Sequence, residues 1–148
     1  MLCVAAQRRT GVEKRREVTI VTNQFSVTLD DKPGELARLT GALAEKRINL
    51  RSTAAATWGG KGVVNIITSD EARTREVLKA QRFTYAEDQA LVANVDDKPG
   101  ALAQIAKDLA ASGVNIKSVA SLTISGAKVE LAFAVDNVEK AKKATKWS

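Results

Sequence analysis

The chain has 148 residues, of which 45 % are apolar and 27 % charged, and a net charge of +6. Those proportions exclude wholesale disorder and fit one compact domain, or two very small ones sharing a core. With no histidine and the single cysteine Cys3, the sequence excludes Ser–His and Cys–His catalytic pairs, histidine metal sites and an internal disulfide.

Residues 1–16 form a basic arm with five basic groups (Arg8, Arg9, Lys14, Arg15, Arg16) against Glu13. Residues 17–82 carry ten basic and eight acidic groups, and residues 83–148 carry eight of each. The basicity is thus concentrated in the arm and not on a folded face, so nucleic acid is not an expected partner. Leu2–Ala6 precedes its charges, the reverse of a signal peptide's order. No apolar run reaches the roughly 18 residues of a spanning helix. No membrane association and a cytoplasmic location are expected.

Beyond the arm the chain repeats itself. Asp30-Asp31-Lys32-Pro33-Gly34 recurs as Asp96-Asp97-Lys98-Pro99-Gly100, an offset of 66 residues. The same offset carries Leu36 to Leu102, Leu43 to Leu109, Asn49 to Asn115, Ser52 to Ser118, Val63 to Val129 and Asp70 to Asp136. The copies align without a gap.

In chain order, Val18–Val21 and Phe25–Leu29 read as short strands, the second meeting the first Pro-Gly turn. A helix follows whose apolar stripe is Leu36, Leu39, Leu43 and the stem of Arg47. Leu50–Thr57 and Val63–Thr68 form a hairpin around a long turn, Trp58-Gly59-Gly60-Lys61-Gly62, in which Trp58 matches Ile124 of the second copy. That turn either covers an apolar edge or acts as a mobile flap. Asp70 caps or charges a helix near 71–81, whose inward face is Ala72, Val77 and Leu78. The second copy reads alike. Strands Phe83–Ala86 and Leu91–Val95 lead into a helix with Leu102, Ile105, Ala106 and Leu109, ended by Gly113. The hairpin Ile116–Ile124 and Lys128–Val135 turns on the shorter Ser125-Gly126-Ala127. Asp136 starts a last helix near 137–146, facing inward with Val138, Ala141 and Ala144.

Each unit is therefore β-α-β-β-α preceded by a strand. A β-α-β-β-α-β unit built from residues 24–87 has all its strands, whereas one built from 90–148 lacks its last. Val18–Val21 is expected to supply it, pairing beside Leu91–Val95 and leaving no bare edge there.

A strand, Asp-x-Pro-Gly, a Leu-Ala-rich helix, and then Ile-Asn-Leu or Val-Asn-Ile opening the next strand resembles the ACT domain family. The resemblance covers residues 17–148. It implies an α+β fold of two ferredoxin-like (βαββαβ) ACT modules joined side by side, the second completed by the N-terminal strand. The divisions expected are a basic arm over 1–16, a completing strand over 17–22, and modules over 23–88 and 89–148. The resemblance further implies a regulatory protein that binds an amino acid or similar small metabolite. No enzyme domain accompanies the pair, so the expected target is a separate metabolic enzyme or regulator. The alternative is a protein-interaction module with no ligand. Catalysis, cofactors and metal are not expected.

Carried over by the resemblance, the ligand-binding candidates are Asp31, Gly34, Glu35, Leu36 and Asn49 in the first copy. In the second they are Asp97, Gly100, Ala101, Leu102 and Asn115. The chemistry is consistent: a helix start offers amides to a carboxylate, and an acid or amide side chain accepts from an ammonium. The same Asp and Asn residues also serve as turn formers and caps. Because Glu35 repels a carboxylate where Ala101 does not, the second copy is expected to bind a neutral amino acid more tightly. A homodimer is expected as well, on the ground that one sheet face is left without helices.

Overall fold

A computed structural model describes residues 18–144. The basic arm and Cys3 lie outside the described residues. The elements are β1 (Val18–Asp30), α1 (Glu35–Glu45), β2 (Leu50–Trp58), β3 (Lys61–Thr68) and α2 (Glu71–Ala80), then β4 (Thr84–Asp96), α3 (Ala101–Ala111), β5 (Ile116–Ser125), β6 (Lys128–Val135) and α4 (Val138–Ala144). All six strands join one antiparallel sheet in the order β2-β3-β1-β4-β6-β5.

β1 and β4 are each 13 residues long and serve both modules. The second half of β1 pairs with β3, and the second half of β4 with β6, while the two long strands pair with each other. Val18 and Val21 lie opposite Ala93 and Leu91, so the first half of β1 is the closing strand of the second module. Asn23 lies opposite Gln89, its own mate at the offset of 66, which places a pseudo-twofold axis between them.

The sequence suggests two short strands in place of β1, broken at the polar run Thr22-Asn23-Gln24. The strand continues because those groups are satisfied. Glu71, in the first turn of α2, accepts from the Asn23 amide (2.9 Å), the Asn23 side chain (2.7 Å) and the Thr22 hydroxyl (3.1 Å). Gln24 is buried and accepts from the Ser118 hydroxyl at 2.8 Å. Buried polar groups with partners cost little.

Two cores lie under the helices. Phe25, Val27, Leu39, Leu43, Ile66 and Leu78 form the first, and Leu91, Ile105, Leu109, Leu131, Phe133 and Val138 the second. Each fully buried aliphatic or Phe side chain contributes about 1.5–3 kcal/mol. Strand alternation puts all four helices on one face of the sheet. The opposite face holds a third cluster of Ile67, Ala90, Val92, Ala132 and Ala134, with Leu122 packed on it. The sheet curls toward that face until its outermost strands meet, the Ser52 hydroxyl donating to the Ser121 carbonyl at 3.0 Å. The middle of the helix-free face is thus covered within the chain, which leaves only its outer end, with Trp58 and Val63 exposed, as apolar area for a dimer.

Local differences from the sequence expectations have simple causes. Leu36 and Leu102 are not core residues: they are 47 % and 46 % exposed, one turn before the buried Leu39 and Ile105. Ala72 is exposed, and Thr74 takes the inward place, bonded to Thr68 at 2.8 Å and to the Asp70 carbonyl at 2.7 Å. Asp70 caps α2 through the Arg73 amide as expected. Asp136 does not cap α4. It accepts from the Asn115 amide at 3.0 Å, and Asn137 caps through the Lys140 amide.

The gapless repeat also ends early. β5 carries a bulge between Ser121 and Thr123, leaving Leu122 without a partner opposite, and β2 has none there. Past it the modules match at an offset of 67, so Lys61 corresponds to Lys128 and Trp58 to Ser125. Both hairpins turn on two residues, Gly59-Gly60 and Gly126-Ala127. The first turn is therefore no longer than the second.

Candidate functional site

Asp-x-Pro-Gly builds the same corner twice. Lys32 donates its amide to the Asp30 carbonyl (3.0 Å), and Gly34 stands in the left-handed region at φ 94° before α1 begins. Lys98 and Gly100 (φ 88°) repeat this before α3. Without a side chain, glycine tolerates that backbone but caps nothing, so neither helix has a side-chain N-cap. The Glu35 and Ala101 amides turn back onto the Lys32 and Lys98 carbonyls (3.5 and 3.3 Å), and the next amides of each first turn are left to a solvent or ligand anion.

The hairpin ties down each corner. The Asp31 amide donates to the Gly60 carbonyl (3.2 Å) and the Asp97 amide to the Ala127 carbonyl (2.8 Å). Asp30 is paired with Lys61 and, at 3.7 Å, with Lys32. Asp96 is paired with Lys128 at 3.0 Å and Lys98 at 3.5 Å. The Lys61 bond and charge hold the Asp30 carboxyl below the usual carboxylate range, and Lys128 does the same for Asp96. Lys61 is raised by the same bond. This pair of clamps was hidden in the sequence, because Lys61 and Lys128 are one residue out of step at the offset of 66.

In the first module a cleft of about 170 Å³ opens between this corner and the β2–β3 hairpin. Its rim is Asp30, Asp31, Lys32 and Glu35, and its floor is Leu29, Leu36, Ala55, Ala56, Gly62 and Val64, with Thr57 at the side. Glu35 is held by Arg38 at 3.1 Å. Asp31 lines the cleft without an ion-pair partner among the described residues. An acid at the rim, open amides at the helix start and an apolar floor suit an ammonium, a carboxylate and a hydrocarbon group in turn.

Of the first-copy candidates, Asp31, Glu35 and Leu36 line this cleft, and Gly34 forms the corner behind it. Asn49 is not brought there. It follows the far end of α1, whose 11 residues span roughly 16 Å, and its amide donates to the Ser69 hydroxyl at 3.0 Å. Asp97, Gly100, Ala101 and Leu102 occupy the matching corner of the second module, and Asn115 is again remote, tied to Asp136. The sequence reading missed Ala55, Ala56 and Val64, and named Gly62 only as part of the hairpin turn. Small residues in a hairpin carry no chemical signal of their own. Among the described residues no group of three acids and cysteines is placed to hold a metal, and no helix is long and apolar enough to cross a membrane.

Comparison with known proteins agrees with this architecture. A family model described as an ACT domain pair matches residues 7–146. Among solved structures, protein BT0572 of Bacteroides thetaiotaomicron superposes with a TM-score of 0.75 at 28 % identity, covering 85 % of this chain and 87 % of that one. The regulatory subunit of aspartate kinase from Thermus thermophilus gives 0.62 at 16 % identity, covering 86 % and 89 %. The aspartokinase alpha and beta subunits give 0.58 at 22 % identity, covering 86 % and 95 %. No curated protein matches the chain.

Proposed function

The chain belongs to the ACT domain family, as a pair of ACT domains, and from that premise we propose that it is a regulatory protein that binds an α-amino acid and acts on a separate partner. The observation that carries this reading is the first-module cleft. The start of α1, Asp31 with no ion-pair partner among the described residues, and an apolar floor line one cleft. Asp31 accepts from the ammonium, and the first-turn amides of α1 receive the carboxylate. The fold is shared with chains described as aspartate kinase regulatory subunits, which supports regulation over catalysis. Catalysis also lacks an orienting arrangement, since Glu35 is spent on Arg38 and Asp30 on two lysines.

Release of small molecules from heat-denatured protein, followed by mass spectrometry, tests the reading. Thermal-shift screening with the twenty amino acids is its companion. A co-purified or stabilising amino acid is the expected result. If none is released and none raises the melting temperature, the amino-acid reading falls and the interaction module without a ligand stands.

A second copy of the chain is the further partner we propose. Trp58 is 92 % exposed and shares the outer, uncovered part of the helix-free face with Val63, itself 43 % exposed. Light scattering at micromolar concentration should show twice the 15.8 kDa chain mass; a stable monomer overturns the dimer.

A further inference from the structure

The two modules leave different room beneath the same loop. In the first, Leu29, Gly62 and Thr57 lie in one row across β1, β3 and β2. In the second, the matching row is Val95, Val129 and Ile124 across β4, β6 and β5. Gly62 lines the cleft, and a Cβ built there meets nothing closer than the Thr57 methyl at 3.7 Å. Its φ is not positive, so the backbone does not require glycine. What the glycine supplies is space. Val129 puts a branched side chain at the equivalent point and packs it against the second core.

We infer that Gly62 confines binding to the first module, one ligand per chain, and that the ligand is an α-amino acid with a small aliphatic side chain. The inference rests on the amino-acid-binding reading above and adds site, stoichiometry and side-chain class to it. The hydrocarbon group lies on Gly62, Ala55 and Val64, where the floor offers no charged partner. A space of about 170 Å³ is below the roughly 300–1,000 Å³ of pockets for drug-sized ligands, which favours a small side chain over an aromatic one. Glu35 at the rim, already held by Arg38, does not leave a free charge to oppose the carboxylate.

Isothermal titration of the full chain with each of the twenty amino acids tests this. The expected result is saturation at one per chain by an aliphatic amino acid such as alanine or valine. Gly62→Val should weaken that binding at least tenfold, with an unchanged circular dichroism spectrum. Gly62→Ala, whose added methyl makes only ordinary contacts, should weaken it at least threefold and covers the case in which the valine variant misfolds. Val129→Ala should leave it within twofold. Two ligands per chain, full affinity in Gly62→Ala, loss in Val129→Ala, or selection of an aromatic or charged amino acid each overturns the inference while leaving an amino-acid-binding protein. Binding of no amino acid overturns both.

Discussion

The two modules share elements, corners and lysine clamps, yet they are not copies at the level of single residues. The first has an edge strand without the second bulge, an open cleft and an arginine where its helix ends. The second has a bulge at Leu122, Val129 in the place of Gly62, and Gly113 at the corresponding helix end. One inserted residue in an edge strand changed the register of everything after it without disturbing the fold. The hairpin lysine stayed on its aspartate because Lys128 lies opposite Asp96 as Lys61 lies opposite Asp30, and β5 alone absorbs the extra residue. Duplication preserved what the backbone and the corner charges need, and the floor beneath the corner was free to diverge. The sequence expectation of a tighter second site sets the Glu35 charge above the first copy's flexible turn; our proposal reverses that order, on the ground of Arg38 at Glu35 and the valine at 129.

The sharpest break between the modules concerns β1. Deleting residues 1–16 should leave stability nearly unchanged. Deleting residues 1–22 removes the strand opposite Leu91 and Ala93 and exposes an edge of the second module. We expect that variant to unfold or to dimerise by strand exchange, with amide exchange rising first in α3 and α4. If the two truncations melt alike, the first half of β1 does not close the second module.

Deleting Leu122 alone tests whether the bulge is an insertion into a module that folds without it. The deletion should restore the offset of 66 through β6, as in β2 and β3, which pair without a break at that point. Leu122 packs on the inter-strand cluster, so the expected cost is its lost burial, about 1–3 kcal/mol. The lysine clamp at Asp96 should survive, and a denaturant melt with unchanged slope would show the fold intact. Complete unfolding would mean that the bulge sets the curl of the sheet.

Much of this was legible from residues alone. The Pro-Gly corners, the repeat, the caps at Asp70 and the completing strand follow from local turn chemistry and from counting strands. What escaped were features decided by partners distant in sequence. The length of β1 depends on Glu71, 48 residues after Asn23. The bulge shows only when strand register is known, since Leu122 is as good a strand residue as its neighbours. The apolar stripe of α1 was read one turn too long, because periodicity marks Leu36 as it marks Leu39 but does not say where the sheet ends beneath the helix. The cleft followed the same pattern: its acids were found by motif, its floor only by pairing.

The helix ends provide a smaller contrast. Gly113 takes φ 69° after α3, a backbone natural to glycine, while Arg47 is held at φ 56° after α1. A left-handed conformation costs a side-chain-bearing residue roughly 1 kcal/mol. Arg47→Gly should therefore stabilise the protein by up to about 1 kcal/mol, and Gly113→Ala should destabilise it by a similar amount. Equal melting temperatures for wild type and Arg47→Gly would mean that the arginine regains the strain through contacts of its side chain.

The smallest effect concerns the lysine clamps and their pH dependence. Asp30 and Asp96 both have native carboxyl pKa values held below the ordinary 3.8, chiefly by bonds from Lys61 and Lys128. A carboxyl depressed on folding binds fewer protons in the native than in the unfolded state near its titration range. Its stabilisation is complete above the unfolded value and is lost as pH falls through the lower native one. Both clamps are exposed, so salt screens them and the contribution is small. Asp30→Asn and Asp96→Asn should each melt slightly below wild type at pH 6 in low salt, with the three curves converging as the pH falls through the lowered native carboxyl range and in 1 M salt. The modules should differ here too. Asp30 faces two lysines at the Gly62 cleft, whereas Asp96 faces two beside Val129, so under our proposal only Asp30→Asn should also weaken amino-acid binding. A gap that persists at pH 2 would show that the asparagines disturb the corner itself and not its charge; equal loss of ligand in both variants would show that the two corners work alike.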